Sequence, residues 1–170
     1  MKRLFGWVTS MLLVGLLMPS IMVLPAHAQE ESLEDRLEAA IEAYWMANKD
    51  LDTLLETFTA IIDENPTLSA AYAYRASIYR QQGNYEAALT DITAGLEIAP
   101  LDALLLSVQA RILYAQGNTE TAQNLALLAV EADGTLSEVY YNLSTVISNQ
   151  QDQIQYLSTA IAINPRASYY

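Results

Sequence analysis

Residues 69–102 read SAAYAYRASIYRQQGNYEAALTDITAGLEIAPLD, two apolar runs separated by Gln82-Gly83-Asn84 and closed by Pro100. Tyr72, Ile78 and Tyr79 mark the first run, and Leu89, Ile92 and Leu96 the second, at the spacing of a buried helix face. Gly83 breaks the pattern, and Asn84 is a good N-cap because its short side-chain oxygen can accept a bond from the free amides of a first helical turn. The stretch predicts two helices folded back on each other as an antiparallel hairpin. Such a unit is too small to bury its own apolar face, so copies of it are expected on either side.

The copies are there. Pro66 and Pro100 are 34 residues apart and the next step lands on Gly134; Gly83 and Gly117 share that interval, as do Asp50, Asn84 and Asn118. Upstream, Leu33, Leu37, Ile41 and Tyr44 form one stripe opposite the acidic Glu31, Glu34, Asp35, Glu38 and Glu42, and Leu51, Leu54, Leu55, Phe58, Ile61 and Ile62 form the next. Periodicity alone gives an all-α solenoid of stacked helical hairpins.

The positions that recur resemble the tetratricopeptide repeat (TPR) family, whose 34-residue pattern sets a large aromatic, a small residue, a second aromatic, Gly, Tyr, Ala and a final Pro. Residues 69–102 match best, with Tyr72, Ala76, Tyr79, Gly83, Tyr85, Ala88 and Pro100 on pattern. Residues 103–136 keep Ala110, Gly117, Ala122 and Ala129 but carry Leu106 and Leu113 in place of the aromatics. Residues 35–68 keep Trp45, Phe58 and Pro66 yet have Glu42 where a small residue lets the helices approach. The fourth repeat, 137–167, opens on Tyr140-Tyr141-Asn142-Leu143-Ser144, but Pro165 arrives three residues early. Counting back 16 residues from Pro165, the interval from Asp50 to Pro66 and from Asn84 to Pro100, makes Asn149 the N-cap and assigns the missing turn to the end of that repeat's first helix.

Ahead of the repeats, Lys2-Arg3, an apolar run from Leu4 to Leu24 and Ala26-His27-Ala28 have the order of a secretory signal peptide cleaved after Ala28. The alternative is an uncleaved membrane anchor, and membrane association is expected only in that case. Lipid anchoring at the cut would need a cysteine, and the chain has none. Cleavage turns 170 residues at −12 into 142 at −14 and removes the single histidine. With neither Cys nor His, disulfides, Cys nucleophiles, Ser-His triads and Cys/His metal sites are excluded, and scarce Lys and Arg argue against nucleic acid. The expected localisation is exported: periplasm, lumen or extracellular space.

The resemblance implies a right-handed α-α superhelix whose first helices line a concave groove that binds a peptide or partner protein, with no catalytic residue, cofactor or metal. In the family register the partner-binding candidates are Ser77 and Arg80, Arg111 and Tyr114, and Tyr141, Asn142 and Thr145. Arginine forks and tyrosine tips suit an extended acidic or polar segment. The basic-Asn pair with which some family members clamp a C-terminal carboxylate is absent, because Ala39, Ala43, Tyr74, Leu104 and Val108 hold the corresponding positions. The alternative reading is a small exported glycan-acting hydrolase or transglycosylase using paired carboxylates. Other signals have plainer readings. Asp50 and Asp52 lack the rest of a calcium loop, and Asn142-Leu143-Ser144 is a glycosylation triplet inside a predicted helix. The last helix leaves Ile154, Leu157 and Ile161 short of cover, which predicts weak self-association through this end unless Tyr169 and Tyr170 fold back over it.

Overall fold

The computed structural model describes residues 31–165. The targeting segment predicted at 1–28 lies outside the described residues, as do positions 166–170, which include the two terminal tyrosines. The described residues form eight helices and no strand: α1 Leu33–Tyr44, α2 Leu51–Glu64, α3 Ser69–Gln81, α4 Tyr85–Ile98, α5 Ala103–Ala115, α6 Thr119–Ala132, α7 Ser137–Val146 and α8 Gln150–Ile163. None is long and apolar enough to cross a membrane.

Successive pairs pack as four hairpins, and each hairpin's second helix also packs on the first helix of the next. First helices touch along the series α1, α3, α5 and α7, whereas α2, α4, α6 and α8 do not touch one another. One side of the stack is therefore closed and the other splayed, the geometry of a TPR-like α-α superhelix.

Small residues on the repeat positions allow this approach. Ala76, Ala88, Ala110, Ala122 and Ala129 are all fully buried, so helix backbones meet over methyl groups. Glu42 is exposed, so α1 does not use the corresponding position to meet α2. Larger side chains fill the space between layers: Phe58, Ile61 and Ile78 in the first part of the stack, Ile92, Leu105 and Ile112 in the middle, Leu143 and Val146 towards its end.

The turns follow the expected chemistry. Gly83 and Gly117 adopt φ of +78° and +85°, and paired bonds (Gly83 N to Arg80 O and Asn84 N to Tyr79 O; Gly117 N to Tyr114 O and Asn118 N to Leu113 O) close α3 and α5 as Schellman motifs. Asp50 accepts from Asp52 and Thr53 amides, Asn84 from Ala87, and Asn149 from Gln151 and Asp152. Asn118 begins α6 without a side-chain cap bond, which departs from the expectation. Asp102 caps α5 and also accepts from Ser69 Oγ at 2.6 Å, tying the starts of α3 and α5 together.

The early Pro165 has the predicted consequence. α8 keeps the 14 residues of α2, α4 and α6, while α7 has 10 against 13 in α3 and α5. A second shortening comes from elsewhere: α1 stops at Tyr44, three residues before the position equivalent to the end of α3. Lys49 stands in the register of Gly83 and Gly117, and a lysine does not readily adopt their left-handed conformation, so the long turn at 45–50 replaces the Schellman closure.

Candidate functional site

Long side chains from all four repeats meet on the inner face of the first helices. Tyr44, at the end of α1, contacts the Trp45 ring edge-on at 4.9 Å and the Tyr74 ring at 5.3 Å, and its hydroxyl accepts from Gln81 Nε2 at 2.7 Å. Trp45 in turn meets Tyr141 of α7 edge-on at 5.7 Å, so the first and last repeats touch across the stack. Further along the same face, Tyr74 OH donates to Glu138 Oε1 at 3.4 Å. Both shortened first helices lie at these contacts: the early end of α1 places Trp45 and Lys49 in the turn that reaches across.

Three cations belong to this cluster. Lys49 Nζ sits 4.8 Å from the centroid of the Tyr44 ring, and the Arg111 guanidinium lies 5.4 Å from that of Tyr141, both within cation-π range. A continuous series of contacts thus runs Lys49, Tyr44, Trp45, Tyr141, Arg111. Arg80 is near enough to act on both ends. Burial, and after it the positive charges of Arg80 and Arg111, hold Lys49 below the ordinary lysine value. Burial and then Arg80 likewise lower Arg111, partly offset by Tyr141 and Tyr44.

The candidate residues divide into three groups. Arg80, Arg111 and Tyr141 come together here, half-buried, each with part of its side chain at the surface. Ser77 and Asn142 are buried instead, at 7% and 3% exposure, which corrects the expectation that they face an open groove. Ser77 donates back to Ala73 O at 2.9 Å. Asn142 bridges two first helices, its Nδ2 donating to Ser107 Oγ at 2.8 Å and its Oδ1 accepting from Arg111 Nη1 at 3.0 Å. Close packing of the first helices has put both polar groups in the interior, where Asn142 ties two helices together. Thr145 is half-buried and donates to Asn142 O at 2.7 Å, and Tyr114 is 40% exposed near the end of α5.

Lys49, Tyr44, Trp45 and Gln81 are members of the cluster that the sequence reading did not single out. A signal for Lys49 existed: it is the one turn residue on the 34-residue register of Gly83 and Gly117 that carries a charge.

Beyond α1, which carries four acids and Arg36, charge is sorted by helix. The second helices hold ten acids, four on α2, three on α4, two on α6 and one on α8, and no Lys or Arg. The first helices α3, α5 and α7 hold three arginines and a single acid, Glu138. Both ion pairs among the described residues involve second-helix acids, Arg36 with Glu64 and Arg75 with Asp91. Arg75 also helps line an open depression with Tyr79, Asn84, Glu86, Thr90 and Asp91, but there its guanidinium is already held by Asp91. No group of three or more metal-ligating side chains occurs among the described residues.

No protein-family model matches the chain, and no curated protein matches it. Among solved structures, it is similar to one titled "MamA RS-1 ArsTM double mutant", at 14% identity and a TM-score of 0.49, covering 81% of this chain and 78% of that one.

Proposed function

We propose that the chain is an exported, non-catalytic member of the TPR family that binds a peptide or another protein on the inner face of its first helices. One observation carries the reading: side chains from every repeat converge there on a mixed cationic and aromatic surface, while the outer helices are uniformly acidic. Aromatic rings and arginines supply contact area and directional bonds at low entropy cost, as protein-binding surfaces do. Nothing favours the glycan-acting alternative. Asp91, the buried carboxylate among the described residues, is gripped by Arg75 through two bonds of 2.7 and 2.8 Å and is not free to serve as a proton donor.

Export rests on the order of charge, apolar run and small residues in 1–28. Intact mass of the protein recovered from its native envelope is expected to begin at Gln29; a mass that includes Met1 replaces export with a membrane-tethered form. Affinity capture from envelope extract, read by mass spectrometry, tests the binding reading: a specific partner is expected, and glycan turnover by the pure protein without any partner reverses it. Self-association through α8 belongs to the same reading. Ile154 and Ile161 are 53% and 38% exposed. Light scattering that shows a strict monomer at high concentration, with or without Leu157→Glu, removes it.

A further inference from the structure

Five of the chain's cations fall among the described residues, and the chain has 20 acids with which to pair them. Arg36 and Arg75 are paired with carboxylates. Lys49, Arg80 and Arg111 are not, although they crowd one another. The carboxylate closest to them in register, Glu138, lies one turn before Asn142 and is engaged by Tyr74 and Ser137, not by any of the three. Arg80 Nε is buried without a hydrogen-bond partner, while the residue as a whole still reaches solvent. Arg36 Nε is also buried and unpartnered, but that guanidinium is anchored through Nη2 to Glu64. A group of like charges that the fold has partly desolvated and left without counterions, in a chain rich in acids, costs stability that an external anion would recover.

We propose that Lys49, Arg80 and Arg111 form a binding site for the carboxylates of an acidic peptide segment, with the half-buried Trp45 and Tyr141 rings packing on its aliphatic stems. The proposal rests on the protein-binding reading above and names its ligand. Arginine supplies the planar fork that a carboxylate matches, and lysine adds a point charge at the other end of the ring series. The rings suit the methylene groups of glutamate or an apolar neighbour, which a bare inorganic anion lacks. The acids of α2, α4, α6 and α8 oppose a long polyanion that would wrap the molecule, whereas a short segment confined to the inner face avoids them. The site differs from the carboxylate clamp excluded in the sequence analysis, since none of its residues occupies a clamp position.

Trp45 makes the site observable. The sequence holds two tryptophans, so Trp7→Phe in the full-length protein leaves Trp45 as the single indole whether or not residues 1–28 are removed. A blocked hexaglutamate peptide, titrated at fixed ionic strength, is expected to shift Trp45 emission saturably, and blocked hexaglutamine is expected to leave it unchanged. Arg80→Gln and Lys49→Gln are each expected to weaken hexaglutamate binding about tenfold, the value of one charge-assisted contact. Arg36→Gln, with the same charge change away from the site, is expected to retain it. Circular dichroism and thermal unfolding check that each variant is folded. Equal weakening by Arg36→Gln, no response to hexaglutamate, or a response to inorganic phosphate alone overturns the proposal. Undiminished capture of a native partner by Arg80→Gln also overturns it but leaves the protein-binding reading standing; failure to capture any partner despite a site-specific peptide response removes that reading instead.

Discussion

Arg75 and Arg80 lie five residues apart on α3, in opposite electrostatic circumstances. Arg75 points between the helices of its own hairpin, where Nε and Nη2 grip both oxygens of the buried Asp91 and Nη1 reaches Thr59 Oγ1 on α2 at 3.2 Å. Those bonds raise its affinity for its proton. Arg80 faces the inner side, beside two other cations and with a buried, unpartnered Nε. Neutralising charge between helices is a structural requirement that the chain meets itself. Leaving it unneutralised on the face where four repeats converge is the pattern of a surface whose counter-charge arrives from outside.

The sharpest way to break this contrast is to remove each arginine's charge. Arg75→Met leaves the Asp91 carboxylate buried with its partner gone, and a loss of about 3–5 kcal/mol is expected. Arg75→Met combined with Asp91→Leu is expected to recover most of that loss. Arg80→Met relieves a like-charge contact and is expected to change stability by no more than about 1 kcal/mol, in either direction. Urea denaturation midpoints distinguish the cases, and equal losses at both positions would mean that the inner-face charges are structural after all.

The same contrast shows where sequence reading succeeds. Repeat length, the caps at Asp50, Asn84 and Asn149, and the shortened α7 are legible, because each depends on local residues in a fixed register: Gly83 and Gly117 turning left, Asn149 capping α8, Pro165 fixing the count. The end of α1 was harder, because it depends on what is missing at Lys49, namely a residue that tolerates a left-handed turn. The inner-face cluster was less legible still. Contacts such as Trp45 with Tyr141 and Tyr74 with Glu138 join residues many positions apart. They depend on the rotation accumulated from repeat to repeat, which no single repeat encodes. For that reason Ser77, which shares the register position of Arg111, and Asn142, the neighbour of Tyr141, lie in the interior while Arg80, Arg111 and Tyr141 reach the surface.

A smaller effect separates the interior ties from the surface on α7. Asn142→Ala removes the donor to Ser107 Oγ and the acceptor for Arg111 Nη1, and Ser107 is fully buried, so a loss of about 1–3 kcal/mol is expected. Thr145→Ala removes a hydroxyl that bonds only to the carbonyl of Asn142 three residues back, and about 0.5 kcal/mol or less is expected. Thermal unfolding of the two variants checks the order; a Thr145 loss as large as that of Asn142 would contradict the bridging role.

The smallest effect is the most direct test of unneutralised charge. Lys49 is held below the ordinary lysine value by burial and by Arg80 and Arg111, so its protonated form is disfavoured in the folded chain relative to the unfolded one. Between the lowered folded value and the ordinary one, the unfolded chain binds more protons, and stability contributed by this group must rise with pH. The cost is fully present at neutral pH and is relieved as pH climbs through the lowered value towards the ordinary lysine value. Lys49→Gln cannot titrate, so the stability of the wild-type protein relative to that variant is expected to increase across this alkaline window, by well under about 1 kcal/mol because much of the side chain is solvated. Saturating hexaglutamate supplies the missing negative charge, stabilises the protonated lysine and is expected to flatten that difference. A slope that persists unchanged with the peptide bound would mean that the carboxylates sit elsewhere, and that Arg80 and Lys49 share a face without sharing a ligand.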